Sequence, residues 1–163
     1  MGIISIKSID MISKKTKYAL KALMYLASEA GDSPVLIADL ATAENIPRKF
    51  LEFILLSLRK GGILQSKIGK GGGYSLAAPP AAISLGAIIR ILEGDMAPVQ
   101  CLSTSSYSRC EECDDEQTCG IRLVMSDVDQ ALSRVLDRLT LADMLDRRAT
   151  ARALRENVVD FAI

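Results

Sequence analysis

Histidine is missing from this 163-residue chain. That removes the usual general base, the imidazole metal ligand and the side chain that changes charge near neutral pH. Most enzyme readings weaken at once, and the chain is expected not to be an enzyme. A long apolar run is missing too. Charge interrupts the longest ones well short of the roughly 18 residues that a membrane span requires, and the N-terminus lacks the charged-then-apolar order of a signal peptide. No membrane partner and a cytoplasmic location are therefore expected. Net charge is also absent, with 20 Lys and Arg against 20 Asp and Glu. The balance hides an asymmetry: residues 13–70 carry ten basic against five acidic side chains, and residues 71–163 carry nine against fourteen. A basic first part offers a face to a polyanion, with ordinary solvated helix faces as the plain alternative.

Cysteine is absent everywhere except in one short segment, where Cys101, Cys110, Cys113 and Cys119 lie among few core-forming residues. Thiolates are soft ligands that suit zinc, copper(I) and iron–sulfur centres, and a C-x₂-C followed by a C-x₅-C can converge on one of them. In a reducing compartment such thiols are more often metal ligands or redox sensors than disulfides. The neighbouring Glu111, Glu112, Asp114, Asp115 and Glu116 disfavour free thiolates but attract cations. The metal-free loop is therefore expected to repel itself and to tighten when metal arrives. Spacing does not separate a Cys₄ zinc site from an iron–sulfur cluster, and an acidic loop with free thiols is a third reading.

Periodicity places a first helix from an N-cap at Ser13 to a stop at Gly31, with Leu20, Leu23, Met24 and Ala27 on one stripe. A short helix over residues 36–41 ends near Asn45. Another opens at Ile46-Pro47 with Phe50, Leu51, Ile54, Leu55 and Leu58 on its buried side and stops at Gly61-Gly62. Small Ala41 at the crossing and Ile46 just after the turn fit a helix-turn-helix. Residues 63–68 read as a strand, Gly69-Lys70-Gly71-Gly72-Gly73 as a turn and Tyr74-Ser75-Leu76 as the returning strand. A hairpin directly after a recognition helix is a wing. Its glycine tip opens into a strand, so it is not a nucleotide-binding loop, which opens into a helix; it lets backbone N–H groups approach a DNA phosphate.

Arg48, Lys49 and Glu52 are the candidates for base-edge contact, and Lys14, Lys15, Lys67 and Lys70 for phosphate. The wing residues Gly71, Gly72, Gly73 and Tyr74 join them, and Arg59 suits either a phosphate or an internal salt bridge. Ser84 caps a helix with Leu85, Ile88, Ile89 and Leu92 buried and Gly94 at its end. From Ile121 to about Leu139, the residues Ile121, Val124, Met125, Val128, Leu132, Val135, Leu136 and Leu139 make a stripe longer than the chain itself can cover, which predicts a dimer. Residues 140–145 restart a short capped helix, and the Arg- and Ala-rich tail is assigned no function.

Met11-Ile12-Ser13, Lys17-Tyr18-Ala19, Leu51-Glu52, Leu58-Arg59-Lys60-Gly61-Gly62-Ile63-Leu64, Gly71-Gly72-Gly73-Tyr74 and Leu139-Thr140-Leu141-Ala142-Asp143 together resemble the winged-helix transcription regulators of the Rrf-two family, which contains IscR, NsrR and RirA. The resemblance covers residues 11–145. It implies a homodimer on palindromic double-stranded DNA. It also implies an iron–sulfur cluster, [2Fe–2S] or [4Fe–4S], held by Cys101, Cys119 and one or both of Cys110 and Cys113, with zinc as the alternative. Arg122 stands where the IscR branch has a histidine ligand, and Lys17 where the NsrR branch has an aspartate. The fourth ligand stays open between a cysteine, one of the five nearby carboxylates and a small molecule.

The expected fold is mainly α with a small β-hairpin. A winged helix-turn-helix DNA-binding domain (11–94) precedes a cysteine-rich cluster-binding loop (95–120), a dimerisation helix with a short following helix (121–145) and a tail (146–163). The expected function is transcription regulation through sensing of iron–sulfur status, nitric oxide or redox state. The alternative is the same DNA-binding fold with a structural Cys₄ zinc site or with no metal, responding to another signal or partner protein; a protein-interaction module that uses the winged helix without DNA is a rival class. Residues 1–10 precede the family's usual start.

Overall fold

Ser13 begins the first element as a cap should, accepting a hydrogen bond from the Thr16 backbone N–H at 3.3 Å. In the computed structural model, which describes residues 12–28 and 33–160 with side chains through 156, α1 spans Lys14–Ser28. The expected stop at Gly31 and the matching Met11 lie outside the described residues. The buried stripe is wider than expected: Ala19, Ala22, Leu23 and Leu26 are buried, with Leu20 and Ala27 half-buried. Two alanines allow close approach, and α1 meets neighbours on several sides.

α2 (Ile37–Ala43) and α3 (Arg48–Lys60) form the helix-turn-helix. Asn45 takes the left-handed conformation at φ 51° in the turn, one of the few non-glycine residues that tolerate it. Ile46 is 4% exposed and plugs the junction as expected. Leu51, Ile54, Leu55 and Leu58 of α3 are fully buried. Phe50 is not: it is 38% exposed, because it sits at the edge of the buried stripe, where its ring meets Tyr18 edge-on at 5.8 Å. The end of α3 closes as a Schellman motif, Ile63 N–H to Leu58 C=O at 3.0 Å and Gly62 N–H to Arg59 C=O at 3.1 Å, with Gly62 at φ 76°.

β1 (Leu64–Lys67) and β2 (Gly73–Leu76) pair antiparallel with Leu64 opposite Leu76 and Lys67 opposite Gly73. Val35, ahead of α2, exchanges both backbone hydrogen bonds with Tyr74, at 2.9 and 2.8 Å, and so anchors the wing to the helix-turn-helix. α4 (Leu85–Glu93) is capped by Ser84, whose hydroxyl accepts from Ala87 N–H at 3.1 Å, and turned off by Gly94 at φ 85°.

After a loop with a 3₁₀ turn at Gln100–Leu102 come α5 (Gly120–Arg138) and α6 (Leu141–Asp160). Thr140 and Asp143 make a reciprocal capping box at the start of α6. The short helix expected over residues 140–145 is thus the first part of a 20-residue helix. Past Arg148, its side chains through Glu156 are exposed. Leu141 enters the same core as α1, α3 and α4. No helix among the described residues is long and apolar enough to cross a membrane.

Candidate functional site

The fold presents two sets of chemically distinctive side chains. On α3, opposite its four buried residues, Lys49 is exposed, and on one flank Arg48 pairs with Glu52 at 3.3 Å, both side chains more than half exposed. Arg59 Nη1 donates to Ser66 Oγ on β1 at 3.1 Å, so this guanidinium ties the recognition helix to the wing through a hydroxyl. At the wing tip, Lys67, Ile68, Lys70 and Gly71 are exposed. Gly69 and Gly71 have φ of 99° and 74° with open space around them. Gly72 is buried under the tip, where its N–H bonds Gly69 C=O at 2.9 Å.

Three expected contacts are placed differently. The Lys15 ammonium bonds the Leu92 carbonyl at the end of α4, satisfying a helix C-terminus rather than reaching outward. Tyr74 is half-buried and packs on the core, because its backbone is locked against Val35. Gly73 lies beneath the wing with Val35, since a Cβ there would stand 2.3 Å from the Val35 carbonyl oxygen. Lys14 remains exposed, with its ammonium 5.5 Å from the centre of the Tyr18 ring. Phe53 and Leu56 were missed: they are 58% and 37% exposed on the outer side of α3. The available signal was that neither falls on the buried stripe.

The second set is the cysteine loop. Asp95 organises its entry by accepting from the backbone N–H of Ser105 at 2.8 Å and from the hydroxyls of Ser103 and Thr104. The Ser105 N–H in particular holds its carboxyl far below the usual range. Tyr107 donates to Glu116 at 2.7 Å, and Arg109 donates to the carbonyls of Cys113 and Asp114. The chain reversal brings Cys101, Cys110, Cys113 and Cys119 to the wall of one cavity of about 280 Å³, together with Glu116 and Arg122. All four thiols are free of disulfides.

Cys119 immediately precedes α5. The Arg122 backbone N–H holds its thiol below the ordinary value against desolvation, and a hydrogen bond from Cys113 adds to this. Desolvation, joined by that same bond, pushes the Cys113 thiol up. Of the five carboxylates considered as a further ligand, Glu116 is the one on the cavity wall; Asp115 instead accepts from Gln117 N–H and the Thr118 hydroxyl. Arg122 is aimed at the Cys101 carbonyl, Nε to oxygen 3.5 Å.

The donor chemistry, soft thiols around one cavity with the Cys119 thiol lowered at a helix N-terminus, is that of an iron–sulfur cluster or a thiolate-rich zinc site. Among the described residues no three Cys, Asp or Glu side chains converge at the spacing that holds a single ion.

Residues 12–147 match the family model Rrf2, described as an iron-dependent transcriptional regulator. An rrf2-like helix-turn-helix transcriptional regulator of Rhodobacter capsulatus is 45% identical over 150 residues, 90% of this chain and 100% of the relative. The transcriptional regulator NsrR of Geobacillus kaustophilus is 34% identical over 143 residues, 88% of this chain and 95% of that protein. Among solved structures, CymR, the global cysteine regulator of B. subtilis, superposes with a TM-score of 0.66 at 32% identity, covering 83% of this chain and 96% of CymR. These relatives are transcriptional regulators and not enzymes.

Proposed function

The chain belongs to the Rrf2 family of transcriptional regulators, and from this we infer that it is a cytoplasmic homodimer that binds palindromic DNA and senses iron–sulfur status, nitric oxide or redox state through its cysteine loop. The observation that carries the sensing half is the convergence of all four cysteines on one cavity at the start of α5. Cys101, Cys110, Cys113 and Cys119 would hold an iron–sulfur cluster there, which would supply reactivity toward oxidants and nitric oxide. Glu116 and Arg122 stand beside it. The protein's own contribution is to bring thiols from the 3₁₀ turn, the acidic turn and the helix start together, with the Arg122 backbone N–H favouring the thiolate of Cys119.

The DNA half is supported by the exposed face of α3, the lysine-bearing glycine tip beside it and the basic balance of residues 13–70. Lys14, Lys49, Lys67 and Lys70 would meet the phosphates or base edges. Because α5 packs on α4 and begins directly after Cys119, ligation at the loop would bias the set of the winged helix relative to α5. A bias of about 1–3 kcal/mol suffices for regulation.

The test is anaerobic purification with iron, sulfide and zinc analysis and a visible absorption spectrum. Iron and acid-labile sulfide in similar amounts, with charge-transfer absorption lost in Cys101→Ala and Cys119→Ala, are expected. Zinc alone in stoichiometric amount would make the loop a structural Cys₄ site, and no metal would make it a thiol sensor or a vestige. Either result sinks the cluster reading while leaving the DNA-binding half standing.

A further inference from the structure

Lys49, Phe53, Leu56 and Lys60 follow one another at i, i+4, i+7 and i+11 along α3 and form a single ridge. That ridge lies opposite buried Leu51, Ile54, Leu55 and Leu58 and is therefore the outermost line of the helix. Its centre is apolar and its ends are cationic. The Phe53 ring is 58% exposed and Leu56 is 37% exposed, and neither serves the core. The polar groups on the neighbouring flank are engaged: Arg48 with Glu52, and Arg59 with Ser66.

The major groove displays one apolar feature, the thymine 5-methyl group, and an exposed aromatic or aliphatic side chain on a recognition helix is its natural complement. A protein surface would also accept an aromatic ring. The exposed Lys49 and Lys60 at either end of the ridge, with Lys67 and Lys70 on the adjacent wing, instead match the charge of a polyanion.

We propose that Phe53 is a specificity-determining residue, packing its ring on a thymine methyl in the major groove with Leu56 extending the apolar contact. This rests on the DNA-binding reading above. Half-site preference then comes in part from apolar contact on the leading ridge of α3, and Glu52, held by Arg48 on the flank, is secondary to it.

The experiment starts from duplexes enriched by the full-length protein from a random pool. Each thymine of the enriched half-site is replaced singly by deoxyuridine, which removes the methyl group and nothing else. Affinities are measured by fluorescence anisotropy for the wild-type protein, Phe53→Ala and Phe53→Leu. A deoxyuridine at one or two positions should weaken wild-type binding by about fourfold each, the worth of one buried methyl-sized group. The penalty should vanish in Phe53→Ala and persist in part in Phe53→Leu, with the salt dependence unchanged because phosphate contacts are untouched.

A wild-type protein indifferent to deoxyuridine at every thymine would overturn the proposal, as would an equal penalty in Phe53→Ala. In both cases binding itself persists and the DNA-binding reading survives. Failure of the wild-type protein to bind any duplex even at low salt would overturn that reading and this proposal together, and would assign the ridge to a protein partner.

Discussion

At the scale of single residues, the wing depends on backbone positions more than on side chains. Gly73 has φ 145°, and a Cβ on it would stand 2.3 Å from the Val35 carbonyl oxygen, an atom fixed in the paired hydrogen bonds between Val35 and Tyr74. Gly71 also has positive φ, 74°, but faces open space. The two alanine variants should therefore differ. Gly71→Ala carries only local strain, about 1–2 kcal/mol, and should leave the hairpin in place. Gly73→Ala must also break the Val35 anchor, adding about 1–3 kcal/mol, and should lower the melting temperature clearly further. Equal melting temperatures would show that the wing does not depend on its anchor. These glycines were legible as a turn. Which of them lies under the hairpin was not, because that depends on Val35, which is 38 positions earlier in the chain.

At the scale of elements, two clasps hold α4 to its neighbours, and they differ in kind. At its C-terminus, Glu93 Oε1 accepts from the Ser13 backbone N–H at 2.9 Å and from the Thr16 hydroxyl at 2.5 Å, fastening the start of α1. Burial pushes the Glu93 carboxyl up, but the hydrogen bonds from Ser13 and Thr16 outweigh it and leave it below the ordinary glutamate value. A carboxylate depressed in the folded state contributes stability above its unfolded value, near pH 4.3, and loses it as pH falls through the lower folded value. Glu93→Gln should thus destabilise the protein at neutral pH and flatten the fall of melting temperature between about pH 5 and pH 3. An unchanged acid limb would place the pH sensitivity elsewhere.

The second clasp joins α4 to α5 through Arg90 and Asp137, at 2.6 and 2.9 Å in a bidentate pair. Both side chains are nearly half exposed, so the pair is worth only about 0–1 kcal/mol to stability. Its value is alignment. Gly86 lies directly beneath it, since a Cβ there would stand 2.1 Å from Asp137 Oδ1. Arg90→Ala should shift the melting temperature little while narrowing the difference in operator affinity between the metal-loaded and metal-free protein. An undiminished difference would mean that the loop communicates by another route.

Element order was legible because α1, α3 and α4 carry strong apolar stripes bounded by caps and glycines. The length of α6 was not, since past Leu145 it has no apolar stripe to mark it and continues on the helix propensity of Arg and Ala. The Asp95 network escaped notice because it forms only when the loop folds back on itself, which no local pattern encodes.

At the scale of the molecule, α5 makes the case for a second copy of the chain. The helix is about 28 Å long, and none of its residues is fully buried. Met125, Leu132, Leu136 and Leu139 are half-buried. Ile121, Val124, Val128 and Val135 are 70, 58, 46 and 55% exposed. The stripe read from the sequence is thus split, one part half-buried and the other left facing water. Three members of the outer part, Ile121, Val128 and Val135, recur at intervals of seven, the period at which two helices pack along a shared seam.

A charge at the middle of that seam tests the proposed dimer without touching the core. Val128→Asp should leave the helical content and the melting of the winged helix near wild type, yet convert the protein from dimer to monomer by light scattering. Its effect on DNA should be far larger than one lost contact. In a dimer, the second half-site is bound at the effective concentration set by the first, an advantage of about 10²–10⁴-fold that a monomer forfeits. Affinity for a palindrome should therefore fall by at least about 100-fold, while affinity for an isolated half-site changes little. A Val128→Asp protein that stayed dimeric would move the interface off α5. A monomer that kept full affinity for the palindrome would separate dimerisation from DNA recognition.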